Sequence, residues 1–328
     1  MTIEIKTSTL EPVRNTYQHI ERRFGDKPAT RYQEASYDVQ ATNNFHYKPL
    51  WDAGRELNDT ARTAIVMQDW YALRDPRQFY YGTYVQQRAK MQDAADNNYN
   101  FFEKRQLASL LSDDVKEVLV TLLVPLRHVE HTANLNNTYG CAYSYGTVVS
   151  QALLYYAMDR LGIAQYLSRI GLILDGNTGT SLVRAKDSWM DDEALQGLRA
   201  LCEQTLLCKD WYELFLLQDV LIDTLLYDLV YTQFDNALLQ QGAQDVAMLL
   251  EFMQVWYKDS SRWVDNVVKV TAAESEFNRQ QLEQWITAWR PTVEAALAPY
   301  ASRLLNVDAL NISNELLEKR LKKLGLFS

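Results

Sequence analysis

Along the last two-thirds of this chain, apolar residues recur at alternating three- and four-residue steps. That spacing keeps one helical face apolar. Met253, Trp256, Ser260, Trp263, Val267 and Val270 form one such seam. Val149, Leu153, Tyr156, Arg160, Ile163 and Leu167 form a second, and Leu216, Val220, Asp223, Tyr227 and Val230 a third. The pattern predicts long helices over about 114–136, 147–174, 209–239 and 244–272, and shorter ones near 191–207, 274–290 and 312–324. Asp113 and Asp114 suit a helix start, and Asp175-Gly176-Asn177-Thr178-Gly179 is a strong stop. No proline falls between Pro125 and Pro291, so nothing in that span removes an amide donor from a helix. Four long amphipathic helices with 3,4 seams predict an all-α long-helix bundle.

Residues 1–100 read differently. They carry Tyr17, Tyr32, Tyr37, Phe45, Tyr47, Trp51, Trp70, Tyr71, Phe79, Tyr80, Tyr81 and Tyr84 without a sustained helical period. Such aromatic wealth is not the composition of a disordered tail. The expectation is an extended N-terminal arm with short helices, followed by a helical domain over 101–328. Segment 30–85 is expected to order against a partner chain, since aromatic side chains anchor interfaces. The competing reading is that it wraps its own bundle.

Charge and composition narrow the functional classes. The net charge of −9 argues against a nucleic-acid partner. The polar start MTIEIKTSTLEP lacks an apolar h-region, and no run approaches a membrane span. Cys141, Cys202 and Cys208 are odd in number and lack metal-ligand spacing, as expected of a reducing, cytoplasmic setting. There is no Gly-x-Ser-x-Gly, P-loop or Gly-rich dinucleotide turn.

Each seam is broken by a polar residue: Arg160, Asp223 or Ser260. Four seams facing one axis would bring Arg160 close to Asp223 and Glu130, because buried charge demands a partner. Helical bundles of this kind hold carboxylate-bridged di-iron centres through Glu residues and two Glu-x-x-His pairs. The four histidines end at His131, and the residues three before them are Thr16, Asn43, Pro125 and His128, so no such pair exists. His128 and His131 flank Glu130 but have no second cluster, and no metal role is expected of them.

The interruptions nevertheless keep the spacing of a ligand set. Glu130 to Arg160 is 30 residues, Arg160 to Asp223 is 63, and Asp223 to Ser260 is 37. MDRLGIAQ (158–165) resembles a Glu-x-x-His segment with Arg160 at the Glu and Ile163 at the His. DSSRWVDN (259–266) resembles another, with Ser260 and Trp263 in those places. With RRFGDKPATRYQEASYDVQ, NFHYKPLWD, DPRQFYYGTYV and LVPLRHVEHTANLNN, nearly the whole chain resembles β subunits of phenol hydroxylase oxygenase components, in the bacterial multicomponent monooxygenase family. The resemblance implies a ferritin-like fold and no catalytic, cofactor-binding or metal residues in this chain. Glu130, Arg160, Ile163, Asp223, Ser260 and Trp263 stand where di-iron ligands were lost. It further implies a di-iron α subunit and a γ subunit in an (αβγ)2 complex. A regulatory protein and a reductase carrying FAD and a 2Fe-2S cluster would serve that complex. The implied reaction turns phenol, O2 and NADH into catechol. The alternatives are an independent helical scaffold and a ferritin-like protein.

Overall fold

From Asp113 to Tyr143 the backbone follows one nearly unbroken helical path. In the computed structural model, residues 18–25, 27, 29–40, 50 and 52–327 are described. Expectations attached to Tyr17, Phe45, His46, Tyr47, Trp51 and the polar start lie outside them. Two short helices, α1 (Gln18–Phe24) and α2 (Arg31–Ser36), precede a longer one, α3 (Tyr81–Lys104). The 113–143 path comprises α4 (Asp113–Val118), a π turn over Leu119–Leu123, a 3₁₀ turn over Val124–Leu126, and α5 (Arg127–Tyr143). Ser112 caps it through its side chain, with Asp113 and Asp114 in the first turn, where carboxylates favour the positive end of the helix. The change of helix type surrounds Pro125, which has no N–H to return to the preceding turn.

After the glycine turn at Gly146, α6 (Thr147–Leu174) runs back along α5. Gly146 sits at φ 91°, in the left-handed region where a side chain would be strained. Then come α7 (Thr180–Asp191) and α8 (Glu193–Thr205). A third long path follows: α9 (Trp211–Phe215), a π segment (Leu216–Ile222), α10 (Asp223–Asp228), a second π segment (Leu229–Phe234) and α11 (Asp235–Gln240). The chain ends in α12 (Gln244–Glu274), α13 (Glu276–Leu304) and α14 (Ala309–Lys323). Among the described residues there is no strand, as the periodicity predicts.

Three local expectations need correction. The N-terminal hundred residues are not limited to short helices: α3 has 24 residues and crosses position 100. Its apolar contacts come mainly from aromatic residues, which blurs the sequence period. The predicted end of α13 near 290 is overrun, because Pro291 and Pro299 are accommodated inside a helix that packs along α8 and Leu216–Ile222. Helix α7 was not anticipated.

The described part of the arm packs on its own bundle, as the competing reading expects. Tyr32, Tyr37, Ile65, Met67, Trp70, Tyr71 and Leu73 join the main core. Asn278 Nδ2 donates to the Val66 carbonyl, and Val66 N–H donates back to Asn278 Oδ1, at 2.8 and 3.0 Å. Asn266 holds the Arg74 carbonyl, and Thr147 donates to the Ser36 carbonyl. The Val66 and Arg74 bonds satisfy backbone outside any helix, and the Ser36 bond takes a carbonyl at the end of α2.

Candidate functional site

Arg160 is among the largest fully buried side chains, 1 % exposed in the middle of the bundle. Helices α5 and α6 and the 211–240 path bring Glu130, Asp219, Asp223 and Tyr227 around it. Its Nη1 donates to Glu130 Oε2 at 3.1 Å and to the Tyr227 hydroxyl at 2.9 Å. Its Nη2 donates to Asp223 Oδ2 and, at 3.4 Å, to Asp219 Oδ1. The guanidinium carbon also lies over three rings: 4.7 Å from Trp256, 5.0 Å from Tyr156 and 5.3 Å from Tyr227. Burial opposes the Arg160 charge, but Asp223, Tyr227 and Glu130 outweigh it and hold the cation.

One guanidinium cannot neutralise three carboxylates, so the hydrogen bonds decide where protons sit. Glu130 Oε1 accepts from Tyr227 while Oε2 accepts from Arg160. Asp223 Oδ1 accepts from Gln218 Nε2 while Oδ2 accepts from Arg160. Both carboxylates therefore take donors on each oxygen and fit the ionised form. Burial raises both pKa values, and Arg160 opposes the rise. Asp219 differs. Its Oδ1 accepts from Asn137 and Arg160, but Oδ2 has no partner. Burial, then repulsion from Asp223, pushes its pKa up to about 8. Asp219 is therefore the member that keeps a proton, on Oδ2, at neutral pH.

The other singled-out positions are buried near this cluster but do different things. Ile163 is apolar core. Trp263 packs against Tyr156 and Phe215 at 5.5 Å, with no partner for its indole N–H. Ser260 accepts from Arg77 Nη1 at 3.4 Å, next to the Arg77 pairs with Asp75 and Asp259. A second polar node adjoins the first. Asp159 receives two bonds from Arg88, one from the Tyr84 hydroxyl and one from Trp256 Nε1. It ties α3, α6 and α12 together.

Residues 51–275 match a family profile described as Methane/Phenol/Alkene Hydroxylase. The chain belongs to that hydroxylase family. It is 57% identical over 326 residues to the phenol 2-monooxygenase oxygenase component MhpL of Acinetobacter pittii (strain PHEA-2), covering 99% of this chain and 98% of that one. It is 51% identical to the oxygenase component DmpL of Pseudomonas sp. (strain CF600), covering 100% and 99%. The crystal structure of xenon-pressurised phenol hydroxylase from Pseudomonas sp. OX1 superimposes with a TM-score of 0.93 at 54% identity, over 99% of both chains. A chain of toluene 4-monooxygenase shares the fold, with a TM-score of 0.77 at 19% identity over 90% of this chain and 99% of that one. The hydroxylase neighbours are ferritin-like helical bundles, and so is this chain.

Within this hydroxylase-family chain, the sequence placed Glu130, Arg160 and Asp223 together, and the structure joins them. It did not anticipate Asp219, although a second acid one turn before Asp223, in the apolar run LFLLQDVLIDTLL, was a legible signal. Tyr227 lies on the apolar seam, and nothing in the local pattern marks Asn137 or Gln218. Ser260 and Trp263 share the seam of α12 but face Arg77 and the aromatic core.

Proposed function

We propose that this chain is the non-catalytic β subunit of a phenol hydroxylase oxygenase component, whose system converts phenol, O2 and NADH to catechol. The observation that carries the reading is the Arg160 guanidinium between Glu130, Asp219 and Asp223. A fixed cation sits in the middle of the bundle and repels a metal cation. Ile163 and Trp263 supply no ligand where imidazoles would be needed, and Ser260 replaces a carboxylate. Among the described residues no group of three His, Cys, Asp or Glu has metal-holding geometry.

In this reading the chain stabilises a di-iron α subunit and, with a γ subunit, an (αβγ)2 assembly in the cytoplasm. The regulatory protein and the reductase, with its FAD and 2Fe-2S centres, act on that assembly. No helix among the described residues is long and apolar enough to cross a membrane.

The test is iron content of this chain purified alone and of the complex co-expressed with its partner chains. The expected result is no iron in the isolated chain and about two irons per α in the complex. Two irons in the isolated chain, with oxidation of phenol, would reverse the assignment.

A further inference from the structure

Of the three rings that pack over the Arg160 guanidinium, Trp256 and Tyr227 each donate to a buried carboxylate, and Tyr156 does not. Trp256 Nε1 donates to Asp159 Oδ2 at 2.8 Å, and the Tyr227 hydroxyl donates to Glu130 Oε1 at 2.8 Å. Their rings are 5.6 Å apart between centroids. Neighbouring Tyr156 and Trp263 are in ring contact with the same group, at 4.9 Å from Trp256 and 5.5 Å from Tyr156 respectively, yet their O–H and N–H have no acceptor. The path also reaches outward, because the half-buried Tyr257 ring lies 4.7 Å from Tyr227.

The Arg160 charge sets the chemistry available here. A cation over an aromatic face stabilises the neutral ring and disfavours a second positive charge on it. Electron loss from these rings must therefore be accompanied by proton loss. Only Trp256 and Tyr227 have somewhere to send the proton. Glu130 Oε1 already accepts the Tyr227 O–H, so it is placed to take that proton.

We propose that Trp256 and Tyr227 form a proton-coupled site that collects single oxidising equivalents within this bundle. An oxygen-derived one-electron oxidant takes an electron from Trp256 and is itself reduced by one electron, while the indole proton passes to Asp159. An electron from Tyr227 then reduces the indolyl radical. Asp159 returns its proton to the indole, and the phenol proton passes to Glu130 Oε1. The end state is a neutral phenoxyl radical at Tyr227 beside a protonated Glu130, with Trp256 and Asp159 restored. One electron from a thiol-class reductant, with the proton returned by Glu130, regenerates Tyr227. Membership of a monooxygenase system gives such a site its use, since oxidising equivalents that miss substrate need a harmless destination.

The test is flash-quench oxidation of the full-length chain by photogenerated tris(bipyridine)ruthenium(III), read by transient absorption and electron paramagnetic resonance. The native chain is expected to give a neutral, hydrogen-bonded tyrosyl radical. Tyr227→Phe should lose that signal and leave a neutral tryptophanyl radical. Trp256→Phe should delay arrival of the radical at Tyr227, and Trp263→Phe should change neither yield nor rate. Circular dichroism shows that each variant is folded. Equal tyrosyl yields and rates in native, Tyr227→Phe and Trp256→Phe chains would overturn the proposal, because the radicals would then lie on other tyrosines. A dominant protonated tryptophan radical cation would overturn it as well.

Discussion

Asp219 and Asp223, one helical turn apart, meet the same Nη2 of Arg160. Two acids at one donor cannot both ionise cheaply in a buried site. Asp223 has a second donor in Gln218, whereas Asp219 Oδ2 has none. The asymmetry decides which of the two holds the proton.

That proton makes stability depend on pH. The folded chain binds it more tightly than the unfolded chain, because the Asp219 pKa rises from 3.8 to about 8. The stabilising contribution is fully present below the lower value and is lost as pH rises through the upper one. Thermal unfolding scans from pH 6 to pH 9 are expected to show a falling midpoint. Asp219→Asn should flatten that slope, since it carries no proton to lose. An unchanged slope in the variant would exclude Asp219 as its source.

Removing the guanidinium should cost far more. Arg160→Leu leaves Glu130 and Asp223 buried without their cation, a loss of about 3–5 kcal/mol for a broken buried pair. Soluble yield and the urea midpoint are expected to drop sharply. A variant with native yield and melting temperature would show that the cluster is not holding the helices in register.

A close helix contact gives a third expectation. A Cβ on Gly197 of α8 would lie 2.9 Å from the Ala296 carbonyl oxygen of α13. Backbone cannot yield as a flexible side chain can, so Gly197→Ala should push the two helices apart and cost about 1–3 kcal/mol. Chemical denaturation of the purified variant measures this directly.

The arm makes a fourth. Asn278 is fully buried and makes a two-way bond with the Val66 backbone. Asn278→Ala removes both bonds from the part-exposed Val66 backbone, at about 0.5–1.5 kcal/mol each. Limited proteolysis should then cut within residues 60–75 well before the bundle is attacked. Protection equal to the native chain would mean that apolar contacts of Ile65 and Met67 suffice to hold the segment.

The sequence by itself determined the all-α class, the extent of α6, the stop at 175–179, and the grouping of Arg160 with Glu130 and Asp223. These follow from helical periodicity and from the cost of unpaired buried charge, both of which are written locally. Only the tertiary structure decided that the described arm residues fold back on the bundle, because aromatic side chains suit an interior and an interface equally well. It also brought in Asp219, Tyr227 and Trp256, and gave the last two, beside Arg160, a carboxylate partner while leaving Tyr156 and Trp263 without one. Those pairings join residues 97 positions apart. Helix packing sets them, and no local pattern records which face of one helix meets which face of another.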